Sequence, residues 1–367
     1  MIRVLIVDDS VVVRRSLSDA LASDPEISVV GCAANGSIAL QKLTQLNPDV
    51  VLLDVEMPQM DGIETVRRLR KDWPRLPVIM CSALTERGAN VTLRALAAGA
   101  TDYVAKPTAA AGSLAGLAAF TNDLVAKVKA LVKGRAVSQS AALGPVADLL
   151  SLADRQRLRP AVAALGIGCS TGGPNALAAL FERIPADLPV PIFIVQHMPR
   201  LFTKILAERL SWTSGFTVIE AAHASKVESG HVYIAPGDHH MTVAVQRSGI
   251  VTLLNQDPAE NSCRPAVDVL FRSLARVYGA GVLGCVLTGM GGDGARGARN
   301  IVDAGGVVVV QSAETCVVPS MPGAVVAAGL ADRVLPLAQL AAELVWRVQR
   351  SRAGLARAPD NLAQRET

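Results

Sequence analysis

The sequence predicts two α/β domains in tandem, each built on a mostly parallel sheet. Over residues 1–121, short and nearly continuous apolar runs alternate with amphipathic stretches. That is the pattern of strands buried on both faces and joined by crossover helices. Periodicity then fades over residues 134–159 and returns from Pro160 onward. A chain of 367 residues also has the length for two cores of ordinary size.

Composition narrows the function classes. Aromatic residues make up only 3% of the chain, and the net charge of +4 is too slight to argue for nucleic acid. Met1 leads straight into the strand-like residues 3–7, which leaves no room for a signal peptide. No apolar run reaches membrane-spanning length, so the expectation is a cytoplasmic protein without membrane insertion. Cysteines 32, 81, 169, 263, 285 and 316 show no C-x-x-C spacing and read as reduced thiols rather than disulfides or zinc ligands.

In the first half, strands are predicted at 4–7, 27–32, 50–53, 78–81 and 102–105, with helices such as 11–22 and 37–46 between them. This alternation predicts a doubly wound sheet of order 2-1-3-4-5. Polar residues fall at the carboxyl ends of the strands: Asp8 and Asp9, Asp54, Ser82, and Lys106-Pro107. Three carboxylates converging on one edge repel unless a hard cation joins them, and Mg²⁺ with oxygen ligands suits that set. A carboxylate so placed, with Lys106 and Ser82 to hold phosphoryl oxygens, can accept a phosphoryl group.

Taken together, Val7-Asp8-Asp9-Ser10, Leu53-Asp54-Val55-Glu56-Met57-Pro58, Met60-Asp61-Gly62, Ser82-Ala83 and Ala105-Lys106-Pro107 resemble the response-regulator receiver family. The resemblance implies a flavodoxin-like fold with Asp54 as the phosphorylation site. It implies Mg²⁺ held by Asp9, Asp54 and the backbone carbonyl of Glu56, with Asp8 assisting through water. Ser82 and Tyr103 match the family's switch hydroxyl and switch aromatic.

Residues 121–133 read as a helix with Leu124, Val125, Val128, Leu131 and Val132 on one face. Residues 134–159 read as a linker, basic at Arg155, Arg157 and Arg159, with a short helix around 146–153. The expected divisions are therefore 1–121 receiver, 122–159 helical extension and linker, 160–350 second domain, and 351–367 a disordered tail.

In the second domain, strands are predicted at 161–168, 191–196, 231–235, 241–245, 250–254, 282–288 and 307–311. The three runs within 231–254 have no helix between them, which predicts a β-hairpin insertion in an otherwise Rossmann-like sheet. The turn Gly168-Cys169-Ser170-Thr171-Gly172-Gly173-Pro174 follows the first of these strands and opens a helix near 175–183. A serine there sits beside unpaired N–H groups that can bind a phosphate or an oxyanion.

Three readings of the turn compete. A dinucleotide site requires a carboxylate about twenty residues on, at the end of the next strand, where this chain has Gln196-His197. An α/β-hydrolase elbow matches G-x-S-x-G, yet those enzymes place the acid before the histidine. The third reading takes the order as it stands. Ser170, His197 and Asp293 each follow a predicted strand, and such ends share one crevice in an open α/β sheet. Ser170 would be the nucleophile, His197 the base and Asp293 its orienter. Backbone N–H groups at Thr171 and near Met290 would supply the oxyanion site.

The segments 168–174, 195–199, 234–240, 263–268 and 287–295 resemble the catalytic domain of the chemotaxis protein-glutamate methylesterases, the CheB family, which joins a receiver to this domain. The resemblance implies hydrolysis of glutamyl γ-methyl esters, and deamidation of specific glutamines, on the cytoplasmic helices of chemoreceptors. It implies a chemotaxis histidine kinase as phosphodonor, no cofactor for the esterase step, and a receiver that gates the crevice. One departure is the loop after Gln311, where Ser312-Ala313 precede Glu314 although the family commonly places an acidic residue first. Cys169 reads as structural, and His239-His240 lack a third ligand for zinc. Arg264 is a candidate substrate contact. A binding protein with a vestigial triad and a small-ester hydrolase are the rival classes; a DNA-binding regulator lacks its basic recognition helix.

Overall fold

The computed structural model describes residues 1–106, 114–140 and 161–355. The predicted short helix at 146–153 and the last residues of the tail lie outside that set. The first sheet contains β1 (Ile2–Val7), β2 (Ile27–Ala33), β3 (Val50–Asp54), β4 (Val78–Ala83) and β5 (Asp102–Lys106). All neighbours are parallel and the order is β2-β1-β3-β4-β5, as the alternation predicts. Its central strand β3 is buried at every position, which is why its sequence runs apolar without alternation.

The helices α1 (Val11–Ala22), α2 (Gly36–Leu46), α3 (Gly62–Asp72) and α4 (Glu86–Ala97) start just past the strand ends. Ser10, Asn35, Asp61 and Thr85 cap them by accepting a backbone N–H. Helix α5 (Leu114–Ser140) is longer than the predicted 121–133. Its Gly134 explains part of the difference, because a Cβ there would come within 2.7 Å of the Val317 carbonyl oxygen. The glycine is kept for close approach to the second domain and does not end the helix.

The second sheet is wholly parallel among its seven strands, in the order β15-β14-β13-β6-β7-β10-β8. These are β6 (Ala164–Cys169), β7 (Ile192–Gln196), β8 (Thr217–Glu220), β10 (His231–Ile234), β13 (Val282–Val286), β14 (Val307–Gln311) and β15 (Arg333–Leu335). The edge strands β8 and β15 escape the sequence pattern because they are short and only half-buried. The insertion is a hairpin of β11 (His240–Gln246) and β12 (Gly249–Asn255), to which the two-residue β9 (Ser225–Lys226) adds. The run at 231–234 belongs to the main sheet instead. Around the sheet lie α6 (Gly173–Phe181), α7 (Arg200–Ser214), α8 (Val267–Tyr278), α9 (Ala295–Asp303), α10 (Ser320–Ala327) and α11 (Leu337–Leu355). The last of these continues to Leu355, past the expected domain end at 350.

The two domains are packed together. Helix α4 lies against α7, and Arg209 of α7 donates to the Leu93 carbonyl of α4. Asn175 Nδ2 donates to the Ala100 carbonyl at 3.0 Å. The rings of Tyr103 and Phe202 stack with centroids 4.6 Å apart. Leu124, Val128 and Leu131 of α5 share a buried cluster with Val318, against which Met290 and Val317 pack.

Candidate active site

At the carboxyl edge of the first sheet, ligand oxygens of Asp8, Asp9 and Asp54 lie within 4.8 Å of one another. Lys106 Nζ spans two of these groups, at 2.7 Å from both Asp8 Oδ2 and Asp54 Oδ1. Burial raises the Asp54 carboxyl above its ordinary value, and the Lys106 ammonium opposes that rise. Burial also disfavours the charged Lys106, but its two carboxylate partners outweigh this and raise its pKa. The Glu56 side chain turns outward to Arg87 at 2.9 Å, so only its backbone is available to this edge.

Ser82 and Tyr103 point elsewhere. The Ser82 hydroxyl donates to the Gly88 carbonyl at 3.1 Å. Tyr103 is buried against Phe202 of the second domain, and burial carries its phenol well above the usual range. Among the described residues, neither side chain makes a hydrogen bond to Asp54.

In the second domain β13, β6 and β7 are adjacent, so the loops after them converge. Ser170 N–H donates to Thr288 O at 3.0 Å, and His197 N–H donates to Cys169 O at 3.2 Å. The Gly289 backbone comes so near the serine that a Cβ there would lie 2.9 Å from Ser170 Cβ. Gly172, at φ 76°, takes the left-handed turn that starts α6. Beneath the turn, buried Gln196 donates through Nε2 to Ser170 O at 3.0 Å and to His197 O at 3.2 Å. One amide therefore ties the serine loop to the histidine loop.

His197 Nε2 and Asp293 Oδ2 are 2.8 Å apart, and both groups are largely buried. Asp293 also accepts from the backbone N–H groups of Val267, Asp268 and Gly294, and from Asn261 Nδ2. Burial opposes ionisation of Asp293, but His197 and the N–H groups of Val267 and Asp268 prevail and lower its pKa. Burial likewise penalises the His197 imidazolium; the hydrogen bonds it donates to Asp293 and Cys263 outweigh this and carry the ring up to about 9. The other ring nitrogen, Nδ1, lies 3.5 Å from Cys263 Sγ.

The three predicted residues thus arrive at neighbouring loops, with one contact unmade. Among the described residues no hydrogen bond joins Ser170 to His197, because Nδ1 faces the Cys263 sulfur. The backbone N–H groups of Thr171 and Met290 likewise enter no hydrogen bond among the described residues. Donors left free beside a serine are what an oxyanion site requires.

Of the remaining candidates, Cys169 is fully buried, its Sγ lies 3.8 Å from Val195 O, and burial pushes its thiol well up. His240 uses both ring nitrogens structurally, accepting from Ala266 N–H and facing Pro258 O. Arg264 is engaged by Asp238 and by the carbonyls of Gln256 and Asp257. In the departing loop, Ser312 Oγ donates to Glu314. Asn261, Cys263 and Gln196, which touch the pair or its loops, carry no motif that marks them for a functional role. A polar Asn-Ser pair before Cys263-Arg264-Pro265 is the only signal that marks the 260–263 turn.

A receiver joined to an α/β domain with serine, histidine and aspartate at its strand ends defines the class: a response regulator with an enzymatic output. Residues 4–115 match the model of the response regulator receiver domain, and residues 165–344 match that of the CheB methylesterase. A protein-glutamate methylesterase/protein-glutamine glutaminase of Nocardioides sp. is 50% identical over 360 residues, covering 96% of this chain and 97% of that protein. One from Trichodesmium erythraeum is 45% identical over 347 residues, covering 94% and 99%. The CheB methylesterase catalytic domain of Thermotoga maritima is similar in structure, at 42% identity, 50% coverage of this chain, 98% of that chain and a TM-score of 0.49. The chain belongs to the CheB methylesterase family, and it is a hydrolase with a receiver domain. Among the described residues no helix is long and apolar enough to cross a membrane.

Proposed function

We propose that this chain is a phosphorylation-activated serine hydrolase acting on chemoreceptors, removing glutamyl γ-methyl esters and deamidating specific glutamines during sensory adaptation. The observation that carries the reading is the 2.8 Å His197–Asp293 contact beside the loop of Ser170. Asp293 occupies Nε2, so in the neutral form of the ring Nδ1 is the nitrogen that takes the serine proton. For that step the Ser170 hydroxyl replaces the Cys263 sulfur at Nδ1.

Ser170 Oγ adds to the ester carbonyl while its proton passes to Nδ1, and the oxyanion lies against the N–H groups of Thr171 and Met290. One such donor is worth roughly 10²–10³ in rate. Collapse expels methoxide, which takes the proton from His197 and leaves as methanol. Water, deprotonated by His197, then releases the glutamate carboxylate and regenerates Ser170. A glutamine follows the same course with ammonia leaving.

The receiver supplies control in this reading. Asp54 accepts a phosphoryl group from a chemotaxis histidine kinase, and Lys106 holds the phosphoryl oxygens. The all-oxygen set of Asp8, Asp9, Asp54 and the Glu56 carbonyl fits Mg²⁺, whose contribution when bound is to neutralise charge on the transferring group. Ser82 and Tyr103 would move from Gly88 and Phe202 when Asp54 is modified. Residues 1–121 act as the switch, 122–159 as connector and 160–350 as esterase, in the cytoplasm. The test is methanol release from methylated receptor with and without acetyl phosphate. Ser170→Ala is expected to abolish release and leave Asp54 phosphorylation intact; substantial residual turnover refutes the assignment.

A further inference from the structure

The turn at residues 260–263 touches both members of the His197–Asp293 pair. It is closed by backbone hydrogen bonds in both directions between Glu260 and Cys263, at 3.2 and 2.9 Å. Asn261 and Ser262 both adopt left-handed backbone, at φ 53° and 62°. Asparagine enters that region more readily than most residues, so the conformation is attainable at this position. Arg272 pairs with Glu260 at 2.5 Å and holds the base of the turn against α8.

We propose that Asn261 is a positioning residue for the Asp293 carboxylate. This rests on the assignment of Asp293 as the acid of the triad. Asn261 Nδ2 lies 2.8 Å from Asp293 Oδ1 and 2.9 Å from Asp268 Oδ2. An amide NH₂ has two hydrogens, one for each acceptor. Asp293 and Asp268 are both almost fully buried, and their carboxylates share the Gly294 N–H as well. Two such groups side by side repel, and the Asn261 amide sits between them as a donor to both. Its own Oδ1 accepts from Arg296 Nη2 at 2.7 Å, so the amide orientation is set by a cation behind it.

Anchoring Oδ1 of Asp293 on this amide leaves Oδ2 directed at His197 Nε2. The other groups around the pair are Cys263 on Nδ1, the backbone N–H groups of Val267, Asp268 and Gly294, and Arg296 beside Asp268. Only the Asn261 amide among these side chains reaches both carboxylates.

The experiment compares Asn261→Gly and Asn261→Asp in the full chain. Glycine keeps the left-handed backbone without strain and deletes the amide; aspartate keeps the shape and replaces a donor with an acceptor. Methanol release from methylated receptor is measured across pH after activation by acetyl phosphate. Phosphorylation of Asp54 and the thermal midpoint verify the fold. In both variants kcat is expected to fall about tenfold or more, the loss of a hydrogen bond to a charged group, with KM within about twofold. In Asn261→Asp the acidic limb of kcat/KM moves up by about half a unit or more, because an added carboxylate favours the charged imidazolium. A purely structural role lowers the midpoint without moving the limb, and that result overturns the proposal, as does a kcat within about twofold of wild type in both variants. Asp293→Asn run alongside separates the two claims. If it is inactive while the Asn261 variants are not, only the positioning role falls; if it is fully active, the triad reading falls and takes the proposal with it.

Discussion

Replacing Asp293 with asparagine tests the electrostatics of the site most directly. His197 stands at about 9 against an ordinary 6.5, a rise of about 2.5 units. At about 1.36 kcal/mol per unit, the surroundings favour the charged ring by roughly 3 kcal/mol. The side chain is only 11% exposed, so solvent screens little of this. Because the folded value lies above the unfolded one, the stabilisation from His197 is complete below about pH 6.5 and disappears as pH rises through about 9. The depressed Asp293 acts in the opposite sense: its contribution is present above about 3.8 and is lost as pH falls through its lowered folded value. In Asp293→Asn the carboxylate is gone and burial acts on the ring with only Cys263 against it. The His197 midpoint, read by NMR titration of the full chain, is expected to drop by about two units, and kcat by about 10⁴ as the tautomer is no longer held. Urea unfolding near pH 6 should show the stability loss, and the loss should shrink above about pH 9. A His197 midpoint within about half a unit of wild type would refute the reasoning, since the carboxylate would then not be what charges the ring.

Two further outcomes follow from packing. Gly173→Ala places a Cβ 1.9 Å from the buried Gln196 Oε1, so either the start of α6 or the Gln196 amide must shift. The expected cost is about 1–3 kcal/mol in urea unfolding, with a marked fall in methanol release as Ser170 moves with the helix; unchanged activity would show that the Gln196 amide yields instead. Phe202→Ala removes the ring stacked on Tyr103, a contact worth about 1 kcal/mol beyond its buried area. Unphosphorylated chain is then expected to release methanol several-fold faster, and an unchanged basal rate would mean that this stack does not restrain the enzyme.

Most of the architecture was legible because strands buried on both faces advertise themselves as unbroken apolar runs. β3 and β6 are such strands; β3 ends at Asp54 and β6 at Cys169, directly before Ser170, so both candidate residues sit at strand ends. Placement after predicted strands, with the family resemblance, made His197 and Asp293 candidates, and the fold brings the two side chains to 2.8 Å because strand ends in a parallel sheet share an edge. What sequence did not show were the short edge strands β8 and β15, and the turn at 260–263. The role proposed for Asn261 depends on a left-handed backbone and on two carboxylates brought together from α8 and from the turn before α9, neither of which leaves a periodic trace. The role of Gln196 depends on a glycine across from it leaving room, which only packing reveals. The contact of His197 Nδ1 with Cys263 was equally invisible, because the hairpin insertion lies between the two residues in the chain.

The ring of Tyr103 occupies a seat built from the other domain, stacked on Phe202 with Lys127 Nζ 5.0 Å from its centre. If phosphorylation draws this ring away, the contact resists the phosphoryl group as much as the phosphoryl group weakens the contact, since coupling between sites is reciprocal. The esterase domain is then a brake on its own receiver: the docked partner lowers the ease with which Asp54 holds its modified state. A substrate that pulls the domains apart would, by the same balance, prolong the signal that switched the enzyme on.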